Sequence, residues 1–269
     1  MSKPMFLVRN GLPPLAYIKT VVPRLPEQNV EPPGLIYVGG FMSSKLAEKA
    51  IALEQRFLTS DTWRPSTFLR FDYTDMCDSV DQNIPKTYSF RQWHLDVIEV
   101  LDKLTDRPQI LIGSSMGAWL ALLAAIERPE KVVAIVTIAA SIGFFKRMEL
   151  ALPEEMKSQY EAGETLLLGE KLGRPFYFNK RMREEGKQLD LLAREHIEVT
   201  CPMRCLHAFE DDMSPYQTTI DIVRKVRSSE AEAILRKNSS HRMQTKEDLD
   251  AISRTIECTA YLVQNKCKL

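Results

Sequence analysis

Two adjacent serines at the start of an apolar helix are the side chains best suited to chemistry in this sequence. Residues 113–117 read GSSMG and fit the pattern G-x-S-x-G, with Ser115 at the centre. The apolar run QILI precedes them and the apolar stretch MGAWLALLAAI follows, which indicates a strand, a sharp turn and a helix. Such a turn projects the central serine Oγ outward, and only very small residues fit two positions away on each side. The pattern therefore predicts Ser115 as a nucleophile and Ser114 as a structural residue, against the alternative of a plain turn.

A serine nucleophile needs a base, and the chain order expected for this turn is serine, acid, histidine. His241, in the segment KNSSHRM, follows a predicted strand and precedes the last helix, so we favour it as the base. His94 lies inside a predicted helix and His196 in a charged segment. His207 ends a predicted strand, where we expect it to shape the acid loop rather than to take a proton.

Three neighbouring carboxylates follow that strand: Glu210, Asp211 and Asp212. The acid must reach the Nδ1–H group of His241 from this loop, while the other carboxylates face solvent. We expect Asp211 to be the acid, with Asp212 as the alternative.

A glycine pair earlier in the chain predicts the rest of an oxyanion hole. In YVGGFMSS, Gly39 and Gly40 let the backbone turn after a strand, so that the N–H of Phe41 would lie beside the N–H of Met116. The alternative is a glycine hinge without a catalytic part.

Short apolar strands alternate with helical patterns along most of the chain. The predicted strands are 14–22, 34–40, 66–73, 109–114, 131–140, 203–209 and 232–237; the predicted helices are 43–58, 89–104, 116–128, 214–226 and 246–265. This alternation predicts one α/β domain over residues 1–269, with a mostly parallel central sheet and helices on both faces.

Residues 141–199 break this alternation with short, charged helical pieces and no clear strand. An insertion of this length at the exit of a strand predicts a helical lid. Its apolar side chains could line an acyl groove or simply pack the lid onto the body: Phe144, Phe145, Leu166, Leu167, Leu168, Phe176 and Phe178.

Composition narrows the function classes. Basic and acidic residues number 36 each, so net charge favours neither nucleic acid nor an anionic membrane. No apolar run approaches the roughly 18 residues of a membrane span. The scattered cysteines form no CxxC pattern and indicate free thiols, with no metal and no cofactor expected; they are Cys77, Cys201, Cys205, Cys258 and Cys267. Nothing in the sequence specifies an oligomeric state.

The segments PQILIGSSMGAWL, ERPEKVVAI, VTCPMRCLHAFEDDMSP and ILRKNSSHRM, in this order, resemble the α/β-hydrolase superfamily over nearly the whole chain. Within it they are most similar to a branch of mitochondrial acyl-protein thioesterases from animals. The resemblance implies the α/β-hydrolase fold and a Ser115–Asp211–His241 triad. It also implies removal of acyl groups from cysteine thioesters in proteins, hydrolysis of acyl glucuronides, and a mitochondrial location, with a cytoplasmic location as the alternative.

The sequence departs from the superfamily at the rim of the expected site. Gly39 replaces the usual histidine before glycine, and both DYTDMCDS (residues 72–79) and the acid loop HAFED (residues 207–211) lack their usual glycines. These changes leave the chemistry in place and bear on the substrate. We therefore expect a cofactor-free serine hydrolase acting on an acylated protein, with a small-molecule carboxylesterase and a non-catalytic binding protein as alternatives. A thioester is favoured over an amide because a thiol leaves readily.

Overall fold

The computed structural model describes residues 3–84, 86–171 and 174–266. The strands are β1 (Met5–Leu7), β2 (Leu15–Val21), β3 (Gly34–Val38), β4 (Thr67–Phe71), β5 (Gln109–Ser114), β6 (Val132–Ile138), β7 (Leu166–Lys171), β8 (Arg174–Phe178), β9 (Met203–Ala208) and β10 (Ala231–Arg236). The helices are α1 (Glu48–Thr59), α2 (Phe90–Leu104), α3 (Met116–Glu127), α4 (Phe144–Leu150), α5 (Glu154–Glu161), α6 (Lys180–Gln188), α7 (Gln217–Lys225) and α8 (Lys246–Lys266).

One 8-stranded sheet, in the order β1-β2-β4-β3-β5-β6-β9-β10, organises the chain. β2 pairs antiparallel with both β1 and β4, and the strands from β4 to β10 in this order are parallel. Every residue of the central strands β3 and β5 is buried, which is why these segments read as continuous apolar runs. The mostly parallel α/β fold expected from the sequence is confirmed.

Helices cover both faces of the sheet, as predicted. Alternate residues of β5 point to opposite faces: Leu111 packs in the core that contains α2 and α3, whereas Ile110 packs in the core that contains α1 and α8. α3 is buried from Met116 to Ala125, so its sequence is apolar on every side.

Local signals fix helix α2, which precedes strand β5. The Ser89 hydroxyl caps α2 by accepting a hydrogen bond from Gln92 N at 3.1 Å. Buried Trp93, Val97 and Leu101 recur at helical spacing along it. Helix α2 thus begins where the serine signal predicts.

The insertion at 141–199 contains a β-hairpin that the sequence analysis did not predict. β7 and β8 pair antiparallel, with Leu166 opposite Phe178 and Leu167 opposite Tyr177, and the register shifts before Gly169. The expectation of helical pieces without a strand was wrong here. Leu166 is buried and Leu167 exposed, but this alternation is too short to stand out among charged neighbours.

The last helix of the insertion is fixed to the body by a buried carboxylate. Glu185 of α6 accepts hydrogen bonds from Ser89 Oγ at 2.8 Å and from Arg91 N at 3.0 Å, at the N-terminus of α2. A negative charge is favourable there because unpaired N–H groups point towards it. Gly186 allows close packing beside it, since a Cβ at this position would lie 2.7 Å from Phe145 Cδ2.

Candidate active site

Ser115 is the single residue between β5 and α3, and it lies on a strained turn. Its backbone has φ 55° and ψ −118°, a conformation that side chains larger than glycine rarely adopt. The Ser115 N–H donates to Ile138 O at 2.8 Å, and Ser141 N donates back to Ser115 O at 3.2 Å. β6 and its exit thus hold the turn that exposes the Ser115 hydroxyl.

Close approach of the backbone explains the two glycines that flank this turn. A Cβ on Gly113 would lie 2.6 Å from Ala118 Cα, and a Cβ on Gly117 would overlap the carbonyl oxygen of Val38. Both positions exclude any side chain, as the G-x-S-x-G pattern predicts.

Ser115, His241 and Asp211 lie in hydrogen-bonding order at the carboxyl end of the sheet. Ser115 Oγ is 3.0 Å from His241 Nε2, and His241 Nδ1 is 2.7 Å from Asp211 Oδ2. They follow β5, β10 and β9, which lie on one side of the parallel sheet. The arrangement can transfer a proton from serine to imidazole and hold the resulting imidazolium beside a carboxylate.

Donors surround the Asp211 carboxylate, whose side chain is fully buried. His241 and His207 contact Oδ2, at 2.7 and 3.0 Å, while the N–H groups of Met213 and Ser214 donate to Oδ1 at 2.9 and 2.8 Å. Burial raises the pKa of Asp211, but the hydrogen bonds from His207, His241 and Ser214 outweigh burial and hold this pKa well below its usual range. Asp211 is therefore ionised throughout the neutral range.

The neighbouring carboxylates take no part in this arrangement. Glu210 and Asp212 are both exposed, and it is Asp211 whose oxygen contacts His241. The loop folds this way because the two N–H donors to Asp211 Oδ1 lie only 2 and 3 positions after it in sequence.

The other three histidines, all in the described part of the chain, form no hydrogen bond with Ser115. His94 is buried in α2, and its burial, with a smaller contribution from Arg91, lowers its pKa to about 4. His196 is exposed beside Glu195. His207 is fully buried behind Asp211, with Nδ1 2.8 Å from Thr219 Oγ1 and Nε2 3.0 Å from Ser214 O.

Gly40, in the turn after β3, adjoins Ser115, and Phe41 follows it in sequence. A Cβ on Gly40 would lie 3.2 Å from Ser115 Cβ, closer than ordinary van der Waals contact, so the glycine lets this turn approach the serine closely. Among the described residues, neither the Phe41 N–H nor the Met116 N–H donates to another protein group. Both donors remain available to a ligand, and Met116 is the first residue of α3.

A buried lysine beneath the turn was missed by the sequence analysis. Lys49 Nζ lies 3.2 Å from Ser114 Oγ, so the Ser114 hydroxyl faces inward. Burial lowers the pKa of Lys49 to about 8, an effect partly opposed by the charge of Asp248. Because Lys49 and Ser114 are 65 positions apart, no local pattern could have paired them.

Aromatic rings form one wall next to the turn. Phe41 lies 5.5 Å from Phe144 and 6.3 Å from Phe145, measured between ring centroids. Phe41 and Phe144 are partly exposed, whereas Phe145 and Phe178 are buried and stack on each other at 6.1 Å. For Phe145, Phe178 and Leu166, packing onto the body is the observed role.

No group of three or more His, Cys, Asp or Glu side chains that could hold a metal ion occurs within residues 3–84, 86–171 and 174–266. Cys201, Cys205 and Cys258 are free thiols, Cys77 Sγ lies 4.0 Å from Ser43 O, and Cys267 lies outside the described residues. None of the helices described here is long and apolar enough to cross a membrane.

Comparison with known proteins agrees with the fold. A family model described as the alpha/beta hydrolase fold matches residues 53–194. The chain belongs to the α/β-hydrolase family, and it is a hydrolase.

Individual relatives extend the match over nearly the whole chain. The rat mitochondrial palmitoyl-protein thioesterase ABHD10 is 36% identical over 255 residues, which are 94% of this chain and 80% of the relative. The human protein of that name is 35% identical over 254 residues, covering 94% and 78%. The structure of mouse alpha/beta hydrolase domain-containing protein 10 superposes with a TM-score of 0.78 at 34% identity, covering 95% of this chain and 97% of that one.

Proposed function

We propose that this protein is a serine hydrolase that cleaves acyl thioesters, with Ser115 as nucleophile, His241 as general base and Asp211 as orienting acid. The observation that carries the proposal is the hydrogen-bonded series itself: Oγ to Nε2 at 3.0 Å and Nδ1 to Oδ2 at 2.7 Å. A serine hydroxyl is a weak nucleophile until a base at this distance accepts its proton.

The first half of the reaction forms an acyl-enzyme. Ser115 Oγ attacks the thioester carbonyl carbon while His241 Nε2 takes the hydroxyl proton, and the carbonyl π electrons move onto oxygen. The N–H groups of Phe41 and Met116 donate to that oxyanion. When the carbonyl re-forms, the C–S bond breaks, and His241 gives its proton to the departing sulfur.

Water completes the cycle. His241 accepts a proton from a water molecule, whose oxygen attacks the acyl carbon on Ser115. Collapse of the second tetrahedral species breaks the ester bond and returns the proton to Ser115 Oγ. The product is the free carboxylic acid, and the steps need no metal or cofactor.

Thioester substrates are supported by chemistry and by kinship. Thiols leave readily, so the site needs little general-acid assistance. The rat and human relatives carry the name palmitoyl-protein thioesterase. Phe41, which follows Gly40 next to Ser115, and Phe144, whose ring lies 5.5 Å from that of Phe41, are partly exposed and offer apolar contact to an alkyl chain. We take the natural substrate to be an S-acylated protein.

One observation favours a second candidate. Phe145, Leu166 and Phe178 are buried in packing, which leaves fewer lid side chains to shelter a long acyl chain. A small-molecule carboxylesterase, for instance one acting on acyl glucuronides, would need only the shorter apolar wall. The same triad would serve it.

The proposal also covers the domain organisation and the location of the protein. Residues 141–199 act as a lid on one hydrolase domain, and the protein works in mitochondria, as the names of its relatives say of them. Subcellular fractionation tests the location; recovery only from the cytosol would contradict it.

A fluorophosphonate probe tests the proposed nucleophile directly. The wild-type protein should become labelled on the peptide that contains Ser115 and should lose thioester hydrolysis in proportion to labelling. Ser115→Ala should abolish both, whereas Ser114→Ala, the matched control, should retain labelling. A folded wild-type protein that neither reacts with the probe nor cleaves a thioester would support the non-catalytic alternative.

A further inference from the structure

A second histidine shares the carboxylate oxygen that faces His241. His207 Nε2 lies 3.0 Å from Asp211 Oδ2, the same oxygen that lies 2.7 Å from His241 Nδ1. The side chains of His207 and Asp211 are both fully buried, so water does not compete for this contact. The hydrogen bonds at Ser115 therefore continue beyond Asp211 into the body of the protein.

The surroundings of His207 fix its tautomer. Its Nε2 faces two acceptors, Asp211 Oδ2 and Ser214 O, both at 3.0 Å, so this nitrogen must carry hydrogen. Its Nδ1 can then accept from the hydroxyl of Thr219, 2.8 Å away and buried. His207 shares this one N–H between Ser214 O and the Asp211 carboxylate.

This contact has an electrostatic consequence for His241. A carboxylate oxygen that accepts a second hydrogen bond has less negative charge to offer the first donor. Removing the second donor therefore strengthens the attraction between Asp211 and an imidazolium at His241. The imidazolium would then persist to higher pH, where it cannot accept the Ser115 proton.

We infer that His207 is a positioning residue that holds Asp211 and keeps His241 unprotonated, and so competent as a base, at lower pH than the pair alone would allow. This inference rests on the proposed function. The other charged groups near the pair are Arg147 of α4, whose Nη2 donates to Ser141 Oγ at 2.8 Å, and the exposed side chains of Glu210, Asp212 and Arg242. They are the same in every variant below, so differences between variants report on His207.

The test compares the pH dependence of kcat/KM in wild-type protein, His207→Leu and His207→Gln. His207→Leu removes the donor, and the midpoint of the acid limb should move up by roughly one pH unit. His207→Gln retains an N–H at about the position of Nε2, so its midpoint should return towards the wild-type value. His94→Leu, the same change at a buried histidine of α2, is the control and should leave the midpoint in place.

Two further measurements keep the result interpretable. If His207→Leu does not fold, Thr219→Val leaves the ring but removes the hydroxyl that donates to Nδ1 and helps to hold the ring beside Asp211, and the midpoint should move in the same direction by a smaller amount. The proton NMR signal of the His241 Nδ1–H group reports the same titration without substrate, so the inference can be judged even if thioesters are not cleaved. An unchanged midpoint in His207→Leu, or in Thr219→Val where the first variant does not fold, by both kinetics and NMR would overturn the inference; failure of the wild-type protein to hydrolyse any ester would overturn only the proposed function.

Discussion

Asp211 combines hydrogen bonds within its own loop with a contact to His241, which is distant in sequence. Its Oδ1 is satisfied by the two N–H groups that follow it in the loop, and its Oδ2 by histidines from β9 and from the segment after β10. Asp212, one position further, is exposed. The two neighbours should therefore behave very differently when neutralised.

Asp211→Asn should lower kcat by about 10⁴, because an amide cannot hold His241 in the tautomer that accepts the Ser115 proton. Asp212→Asn, the matched control, should retain nearly full activity. Steady-state hydrolysis of one thioester by both variants decides between them. A crippled Asp212→Asn with an active Asp211→Asn would show that the orienting acid is the neighbouring residue.

The same carboxylate links activity to acid stability. The folded state lowers the pKa of Asp211 below the unfolded value of roughly 3.9, so its contribution to stability is present above that pH and is lost as the pH falls further. Wild-type protein should lose stability more steeply below about pH 4 than Asp211→Asn. Urea unfolding at pH 5 and pH 3 measures this difference; equal slopes would contradict it.

At the scale of elements, the turn at Ser115 depends on the close approach of α3 to β3. A Cβ at Gly117 would overlap the Val38 carbonyl oxygen, and backbone cannot move aside as a flexible side chain can. Gly117→Ala should therefore lose more than about 3 kcal/mol of unfolding free energy. Gly143→Ala is the control, since that glycine has φ +70° but open space around its Cβ, and it should lose only about 1 kcal/mol. Similar losses in thermal or urea unfolding would show that close packing is not what requires Gly117.

Lys49 of α1 contacts Ser114 beneath the turn, and burial of its charge lowers the stability of the fold by an amount that depends on pH. Its pKa of about 8 in the folded protein lies below the unfolded value of about 10.4, so burial of the charge is unfavourable below pH 8 and this cost fades as the pH rises to about 10. As the pH rises through this window, the unfolding free energy of wild type should increase relative to that of Lys49→Met, by at most about 3 kcal/mol. Exposed Lys187→Met should show no such trend relative to wild type. A difference between wild type and Lys49→Met that stays constant from pH 7 to pH 10 would contradict the argument.

At the scale of the molecule, the features set by interactions between neighbouring residues were predicted from the sequence. The features set by contacts between distant residues were missed. The alternation of strands and helices, and the glycines around Ser115, are local and were predicted. Strand β1 was not, since it has only 3 residues and they are half exposed. The contacts of Lys49 with Ser114 and of His207 with Asp211 depend on how distant or looped segments meet, which spacing alone does not encode.

If residues 141–199 act as a lid, they should influence which acyl chains fit, and partly exposed Phe144 is the place to test this. Each buried methylene contributes about 0.8 kcal/mol, close to fourfold in binding. If Phe144 and Phe41 contact the chain, kcat/KM should rise with acyl length until the apolar wall is covered. Phe144→Ser should flatten that rise and spare acetyl thioesters. Leu167→Ser, an exposed lid position, is the control.

The readout is kcat/KM for thioesters from acetyl to palmitoyl, each below its micelle concentration. A steep rise in wild type that only Phe144→Ser removes would support an acyl site at this wall. Preference for acetyl and butyryl esters, with no cleavage of long thioesters, would instead favour the small-molecule carboxylesterase.

The central claim is that Ser115 carries the acyl group during thioester hydrolysis, and its most direct test is to trap that species. Protein mixed with excess palmitoyl thioester would be quenched in acid at intervals within the first turnover, digested and mapped by mass spectrometry. The account predicts a palmitoyl ester on Ser115 that forms before free fatty acid and decays at the turnover rate, absent from Ser115→Ala and present in Ser114→Ala. Hydrolysis by wild-type protein without acyl transfer to Ser115, or with the acyl group on another residue, would contradict it.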